Sequence, residues 1–282
     1  MGYFQPARKQ GYRFSFFLGL LRGVVFSMRI HVLGCAGAEM PNHNMAGFLV
    51  DHTVLLDAGT IGLALDFNEQ MAIQDIFITH SHLDHIKAIP FFADNIVIKN
   101  ENHTVSLYSS DEIVEILKKN LFNDLVWPDF SLIPTSESPV INFVSMENEK
   151  AVYLEKHRVT AFEVQHTTPA VGFLVESDQG KKIVYTGDTG PTEAIWKVCE
   201  KQTLDAVIIE VSLPNRMTEI ALRTGHLTPK LLGEEILKMR KTPLRFFITH
   251  SKPYFMEEIF DDLSQIDRDS IEILRDGQVI FL

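Results

Sequence analysis

The segment His80-Ser-His-Leu-Asp-His85 constrains this chain more than any other, because it places three imidazoles and a carboxylate within six residues. It follows the apolar run Ile76-Phe-Ile-Thr79, which is typical of a buried strand. Alternate side chains of a strand point to the same side, so His80 and His82 can bind one metal ion. The cluster therefore predicts a strand that ends in a metal site.

The other two ligand candidates of this segment, Asp84 and His85, come where the chain is expected to turn into a helix. They then point away from the first pair, toward a second ion. Imidazole nitrogen and carboxylate oxygen together favour zinc, with manganese or iron as alternatives. We therefore expect two divalent metal ions here rather than a chance cluster of surface histidines.

Three further ligand candidates stand just beyond apolar segments that are predicted to be strands. They are His166, Asp188 and His250, and Asp188 lies inside Thr186-Gly-Asp-Thr-Gly190. Strand ends on one edge of a sandwich converge in space, so these residues and the first segment are expected to share one site. Taken singly, each histidine is more often an ordinary residue, whereas together they favour a metal centre.

The order of predicted elements favours an α/β fold. Short apolar strands dominate the first part of the chain, and helices alternate with strands in the last third. Two sheets packed face to face with helices outside, a four-layer αββα sandwich, suit this order. We also predict a short helix over residues 61–70, a loop or lid over 127–139, and a terminal hairpin of strands 271–274 and 279–282 that turns at Asp276-Gly277.

The length of the chain allows one large α/β domain or two small ones, and we predict one domain over residues 28–282 with a short extension before it. Residues 1–27 place basic side chains before a mostly apolar run that Arg22 interrupts, and this run is too short and too broken to span a bilayer. We interpret the extension as a mis-assigned start, with Met28 as the working start, or as a weak membrane-surface segment. No stable membrane insertion is expected.

The formal net charge of −11 argues against a nucleic-acid-binding surface, which needs an excess of Lys and Arg on one face. A small substrate is therefore favoured over a long polyanion. Cys35 and Cys199 lie far apart in the sequence, so no disulfide framework is available and a reducing cytoplasm fits. The oligomeric state stays open, and a homodimer is one of the alternatives.

In the order of its ligand candidates the chain resembles the metallo-β-lactamase superfamily, whose pattern HxHxDH, then H, D and H, is matched over nearly the whole chain from Met28. The resemblance implies a hydrolase domain over residues 28–282 with an αββα sandwich. It also implies that one ion is held by His80, His82 and His166, and the other by Asp84, His85 and His250, with Asp188 bridging the two. A hydroxide held between ions about 3.5–4 Å apart would be the nucleophile.

Three further segments resemble the class II cyclic-nucleotide phosphodiesterases of that superfamily. They are Ile209-Glu-Val-Ser-Leu-Pro-Asn215, Gly225-His-Leu-Thr-Pro229 and His250-Ser-Lys-Pro253. The chain departs from the usual pattern at Lys87, where the family has a small residue, and at Ser251, where it has an aliphatic one. These departures concern the substrate more than the metals. The resemblance implies hydrolysis of small 3′,5′-cyclic nucleotides, such as cyclic AMP, to 5′-nucleotides.

Glu210 and His226 suit the proton transfer that such a reaction needs. Cleavage of a phosphodiester expels an alkoxide, which leaves poorly until it receives a proton, and histidine is the side chain best poised to donate one near pH 7. A carboxylate bonded to the imidazole would raise its pKa and fix its tautomer. The related ribonuclease Z branch implies the same roles, so Asp84, Glu210 and His226 are the candidate catalytic residues. The alternative is that His226 merely begins a helix.

Other functions of the same site stay open. A ribonuclease Z-like tRNA 3′-endonuclease would use every ligand, but it would need a basic arm or surface that this acidic sequence does not show. Thiolester, lactone or β-lactam hydrolysis would use the same nucleophile, but each explains the proton donor less well. A metal-binding sensor without turnover is the non-enzymatic alternative, and it has no use for Glu210 and His226.

Overall fold

The computed structural model describes residues 28–99, 103–200, 202–239, 243, 245–266 and 270–282. The extension that the sequence analysis places at residues 1–27 lies outside these residues. No helix in the described part of the chain is both long enough and apolar enough to cross a membrane.

The described residues form sixteen strands and eight α-helices. The strands are β1 (Arg29–Gly34), β2 (Gly47–Val50), β3 (Val54–Leu56), β4 (Asp75–Phe77), β5 (Val105–Ser110), β6 (Pro134–Thr135), β7 (Ser138–Pro139), β8 (Ile141–Met146), β9 (Ala151–Tyr153), β10 (His157–Glu163), β11 (Val171–Ser177), β12 (Lys182–Tyr185), β13 (Ala206–Glu210), β14 (Arg245–Thr249), β15 (Ile271–Ile273) and β16 (Val279–Phe281). The helices are α1 (Phe67–Met71), α2 (Leu83–Ile86), α3 (Ile89–Lys99), α4 (Asp111–Asn120), α5 (Ala194–Cys199), α6 (Thr218–Thr224), α7 (Pro229–Lys238) and α8 (Met256–Leu263).

Two seven-stranded sheets contain all of these strands except β6 and β7, which pair with each other. The first sheet has the order β16-β1-β2-β3-β4-β5-β8, and the second has the order β15-β14-β13-β12-β11-β10-β9. In each sheet the strands that precede the ligand candidates lie away from the sheet edges.

The two sheets pack face to face, and helices cover their outer faces. Between the sheets, the ring of Phe77 in β4 lies 5.5 Å from the ring of Phe173 in β11. The next residue of β11, Leu174, packs instead in a second core that includes Trp196 of α5. Ile113 of α4 packs in the main core with the first sheet. This alternation confirms the predicted αββα sandwich.

Parallel pairing brings the carboxyl ends of the important strands to one edge of the sandwich. In the second sheet β12, β13 and β14 run parallel, and in the first sheet β3, β4, β5 and β8 do. The segment from His80 to His85 follows β4, Asp188 and His250 follow β12 and β14, and Glu210 ends β13. Polar residues from both sheets are thereby delivered to the same place.

The predicted terminal hairpin is wrong. β15 pairs with β14 at the edge of the second sheet, whereas β16 pairs with β1 at the edge of the first. The Asp276-Gly277 turn therefore carries the chain from one sheet to the other. The Asp276 carboxylate accepts hydrogen bonds from the backbone N–H groups of Cys35 and Asn44, at 3.2 and 2.7 Å. These bonds tie the turn to the loop after β1 rather than to a partner strand.

Two other predicted segments differ from the structure. The helix predicted over residues 61–70 is the shorter α1, because Asp66 caps its amino end in a capping box with Glu69. The loop or lid predicted over 127–139 contains the pair β6 and β7 and buries Phe130 in the main core. It packs on the domain as a structured connection.

Candidate metal centre

The candidate ligands of the first ion lie together at the edge of the sandwich where the carboxyl ends of the parallel strands meet. His80, His82, His166 and Asp188 place one ligand atom each within 4.8 Å of one another. His80 Nε2 is 3.7 Å from Asp188 Oδ2, and His166 Nε2 is 3.2 Å from His82 Nδ1. Three imidazoles and a carboxylate that face one point form a donor set that suits zinc.

The candidate ligands of the second ion form a neighbouring group, Asp84, His85, Asp188 and His250, with the same mutual limit of 4.8 Å. His85 Nε2 is 3.4 Å from Asp188 Oδ1. His250 Nε2 is 3.2 Å from both Asp84 Oδ2 and Asp188 Oδ2. The structure thus brings all seven residues together in two groups that share Asp188, the carboxylate that can reach both positions.

Unpaired buried atoms at this point fit a bound cation. Of five buried side-chain polar atoms that lack a hydrogen-bond partner in the described chain, three are His80 Nε2, His85 Nε2 and Asp188 Oδ1. Leaving a buried polar atom unpaired costs about 1–3 kcal/mol, so three in one spot need a common explanation. Metal coordination supplies it, because each atom is a good ligand.

The charge states of the two carboxylates and of His80 suit metal binding, whereas His85 must first lose a proton. Burial acts to raise the pKa of Asp188, but the imidazoles of His250 and His85 outweigh it and hold the pKa well below its ordinary value. Burial likewise opposes ionisation of Asp84, yet the hydrogen bond from His250 and the charge of His85 lower its pKa. Burial lowers the pKa of His80 and favours its neutral form. Burial acts to lower the pKa of His85 too, but the carboxylates of Asp188 and Asp57 raise it well above its ordinary value. Ionised carboxylates and neutral imidazole are the forms that bind metal, so metal binding at His85 would release a proton.

Asp57, which the sequence analysis did not identify as a site residue, hydrogen-bonds the ring nitrogen of His85 that faces away from the site. Its carboxylate is fully buried and lies 2.7 Å from His85 Nδ1. It also accepts hydrogen bonds from the Tyr185 hydroxyl at 2.7 Å and from the backbone N–H and hydroxyl of Thr79, each at 2.8 Å. With a proton on Nδ1, His85 presents Nε2 to the site, as an oriented metal ligand must.

Gly225 orients His166 in a similar way. The Gly225 carbonyl lies 2.8 Å from His166 Nδ1, so the proton on Nδ1 leaves Nε2 to face His82. Gly225 adopts a left-handed φ of 67° at the end of α6, and a Cβ there would lie 2.9 Å from His166 Nδ1. Glycine therefore satisfies both the turn and the close approach.

The fully buried Glu210 and the partly buried His226 form a pair beside the two ligand groups. His226 Nδ1 is 2.7 Å from Glu210 Oε1, and the His226 ring lies 5.2 Å from the ring of His166 and 5.4 Å from that of His250. Burial acts to lower the pKa of His226, but the charge and hydrogen bond of Glu210 raise it above its ordinary value. His226 lies between α6 and α7, so the alternative that it begins a helix is wrong.

The loop after β1 borders the site, and two lysines near the site bind it through an ion pair and a hydrogen bond. Lys87, at the end of α2, pairs with Glu39 at 2.7 Å, and Lys252 donates to the Gly37 carbonyl. A Cβ on Gly37 would lie 2.2 Å from the backbone oxygen of His250. Lys87, where the sequence departs from its resembled family, therefore forms a local ion pair in this chain.

A cavity of about 510 Å³ opens beside His166. It lies between the ends of β5 and β8 and the turn from β10 to β11. Polar side chains line it, among them Ser110, Asn148, Glu163 and Thr168. Its volume is in the range of small-molecule sites. The described residues that line it do not include the segment 127–139, so the loop or lid predicted there does not cover it.

Comparison with known proteins agrees with this architecture. The family described as “Beta-lactamase superfamily domain” matches residues 52–250. A Yersinia pestis protein named “Probable 3′,5′-cyclic-nucleotide phosphodiesterase” is 28% identical over 213 residues, which cover 67% of this chain and 60% of that protein. The chain therefore spans less than two thirds of that relative's length.

Two other similar proteins carry different names. Ribonuclease Z of Pyrococcus abyssi is 29% identical over 104 residues, which cover 37% of this chain and 31% of that protein. The solved structure of unliganded yeast PDE1 superimposes with a TM-score of 0.79 and is 17% identical, covering 92% of this chain and 100% of that one. The family match covers well over half of the chain, and the chain therefore belongs to the β-lactamase superfamily and has its metallo-β-lactamase fold.

Proposed function

We propose that this protein is a metal-dependent phosphodiesterase that hydrolyses 3′,5′-cyclic nucleotides to 5′-nucleotides. The observation that carries the proposal is the Glu210–His226 pair, at 2.7 Å, directly beside two groups of metal-ligand candidates. Hydrolysis of a phosphodiester needs a proton donor for the leaving alkoxide, whereas a thiolester expels a thiolate, which leaves without one. The name of the Yersinia pestis relative supports the same substrate class.

The residues that would hold two divalent metal ions, with zinc favoured by the donor set, are His80, His82 and His166 for one, Asp84, His85 and His250 for the other, and Asp188 for both. Ions bound there would activate water as the nucleophile and neutralise the charge of the phosphodiester. Asp84, whose side chain is 25% exposed, can accept a proton from the attacking water.

His226 is assigned the opposite task, the donation of a proton to the 3′ oxygen as it leaves. Its Nδ1 is bonded to Glu210, so Nε2 is the nitrogen available to the substrate. Glu210 is fully buried and keeps the imidazole in that orientation. The raised pKa of His226 favours the protonated form that a general acid needs near neutral pH.

The size and charge of the site suit a cyclic mononucleotide. Its single negative charge would be neutralised at the metal centre without a basic surface, which accords with a chain of net charge −11. Its sugar and base fit a cavity of about 510 Å³ next to His166. A larger groove of about 1000 Å³, between α8 and β15, includes none of the seven ligand candidates.

A tRNA 3′-endonuclease is the second candidate, because the Pyrococcus abyssi relative is named ribonuclease Z. The net negative charge of the chain disfavours this activity, since tRNA binding depends on neutralising many phosphates. Thiolester hydrolysis, whose thiolate leaves without protonation, and a metal sensor without turnover have no use for the Glu210–His226 pair, whereas lactone or β-lactam hydrolysis would share it.

Substrate comparison tests the proposal. Purified protein is offered 3′,5′-cyclic AMP, 3′,5′-cyclic GMP, a 2′,3′-cyclic nucleotide, precursor tRNA, a thiolester and a β-lactam, each with and without chelator. We expect a 5′-monophosphate from a 3′,5′-cyclic nucleotide with kcat/KM of about 10⁴ M⁻¹s⁻¹ or more, and its loss with chelator. Intact cyclic nucleotides together with cleaved precursor tRNA would favour the second candidate.

The His226→Ala variant tests the proton donor. It should retain its metal and lose roughly 10²–10⁴-fold in turnover of cyclic AMP, the usual range for such a proton transfer. The loss should be much smaller for a nitrophenyl phosphodiester, whose leaving group needs no proton. Glu210→Gln is the matched variant, because it keeps the shape of the partner and removes its charge. Equal losses on both substrates would contradict a general acid at this position.

A further inference from the structure

The hydroxyl of Ser212 lies between the second group of metal-ligand candidates and the Glu210–His226 pair. Ser212 is fully buried, two residues beyond the end of β13. Its Oγ is 2.7 Å from Glu210 Oε2, 2.8 Å from His250 Nδ1 and 3.2 Å from His226 Nδ1. Its backbone N–H donates to the Leu227 carbonyl at 3.1 Å, which fixes it against the segment that carries His226.

The number of available hydrogens determines which atom donates and which accepts in each of these hydrogen bonds. A serine hydroxyl has one hydrogen to donate and two lone pairs to accept with. His250 Nε2 faces Asp84 and Asp188, so the proton of a metal-binding His250 must be on Nδ1, where it is donated to Ser212. The Ser212 hydroxyl then donates its own hydrogen to Glu210 Oε2. Glu210 Oε1 accepts from His226 Nδ1, which leaves His226 Nε2 for the substrate.

We propose that Ser212 is a positioning residue that couples the metal ligand His250 to the general-acid pair. The tautomer that His250 needs in order to bind metal is the one that turns the Ser212 hydroxyl toward Glu210. Glu210 is thereby held as the acceptor that orients His226. The effect of Ser212 on the general acid His226 rests on the proposed function, whereas its effect on the ligand candidate His250 rests on the ligand geometry alone.

A neighbouring serine shows what a purely structural hydroxyl does at this place. Ser251 follows His250 and is almost as buried as Ser212, with 4% exposed. Its hydroxyl donates to the backbone carbonyl of Val211 at 2.9 Å, and no histidine or carboxylate contact is described for it. Ser251→Ala is therefore the matched control for Ser212→Ala: each removes one buried hydroxyl beside the metal centre.

The test compares Ser212→Ala, Ser212→Thr and Ser251→Ala with the parent protein. Zinc affinity is measured by competition with a chromophoric chelator. The tautomer of His226 in the metal-free protein is measured by long-range ¹H–¹⁵N NMR at a pH above the pKa of His226. The leaving-group preference is the ratio of turnover on a nitrophenyl phosphodiester to turnover on cyclic AMP. Thermal unfolding shows that each variant is folded.

For Ser212→Ala we expect a 10–100-fold loss of zinc affinity. The Nδ1–H tautomer of His226 should lose its dominance, and the leaving-group ratio should rise at least tenfold. Ser212→Thr keeps a hydroxyl, so its zinc affinity and its leaving-group ratio should both match those of the parent protein. Ser251→Ala should change neither quantity. The coupling would be overturned if Ser212→Ala kept both its zinc affinity and its leaving-group ratio. It would also be overturned if only one of these two quantities changed.

Failure of the proposed function has a different signature. If the parent protein leaves cyclic AMP intact, the assignment of the substrate fails, while zinc affinity and the tautomer of His226 still decide whether Ser212 couples the groups. Equal losses of zinc affinity in Ser212→Ala and Ser251→Ala would assign the effect to packing and would overturn the coupling.

Discussion

Replacing Tyr185 with phenylalanine is expected to destabilise the protein without opening a cavity. The Tyr185 hydroxyl donates to Asp57 at 2.7 Å, and both residues are at most 1% exposed. Burial and the Asp57 carboxylate raise the pKa of Tyr185 well above its ordinary value, so the hydroxyl stays protonated and remains a donor. A hydrogen bond to a charged group contributes roughly 1.5–3 kcal/mol to the free energy of unfolding. For a domain of this size the melting temperature should fall by about 3–12 °C.

The metal centre gives a second readout of the same change. In Tyr185→Phe the Asp57 carboxylate keeps its bonds from Thr79 but holds His85 less firmly, so zinc affinity should fall about tenfold. Thermal unfolding of chelator-treated protein and chelator competition measure the two effects. Tyr254→Phe is the control, because Tyr254 is 83% exposed. Unchanged melting temperature and zinc affinity in Tyr185→Phe would refute the role given to this hydroxyl.

Three more outcomes concern other parts of the chain. Asp188→Ala should lose at least one of two metal equivalents together with activity, and full metal content by elemental analysis would contradict a bridging carboxylate. Burial acts to raise the pKa of Asp51, but the hydrogen bond from His157, at 2.9 Å, lowers it below its ordinary value. This stabilisation is fully present above the pKa of the unfolded aspartate and is lost as pH falls through the lowered folded value, so urea unfolding should show a smaller loss on acidification in Asp51→Asn than in the parent. Gly37→Ala should push against His250 and lower zinc affinity at least tenfold, and unchanged chelator competition would contradict that packing.

The ligand candidates could be predicted from sequence because the chain repeats one arrangement, a polar residue just beyond an apolar strand. Asp57 follows β3 in the same way, and that signal could have identified it. The sequence analysis does not single it out, because Asp-Ala-Gly is also a common turn sequence. Its φ of 55°, which aspartate tolerates, aims the carboxylate at His85 and Tyr185, and a dihedral angle is not visible in sequence.

Pairing between distant parts of the chain could not be predicted in the same way. Asp276-Gly277 correctly indicates a turn, but local turn chemistry does not say whether the flanking strands pair with each other. Phe281 pairs with Arg29, and only the folded sandwich brings these residues together. The role of Ser212 is hidden for the same reason, since a serine two residues beyond a strand has no pattern of its own.

The candidate metal centre draws its residues from both sheets. The segment from His80 to His85 leaves the first sheet, and Asp188 and His250 leave the second. The unfolded chain keeps only the donors of that local segment together, so a metal ion bound to the complete set would select the folded state and stabilise it by mass action. An ion that joins the sheets only after they have docked should slow unfolding and leave the folding rate unchanged. The concentration of zinc would then determine how long the folded protein persists rather than how quickly it forms.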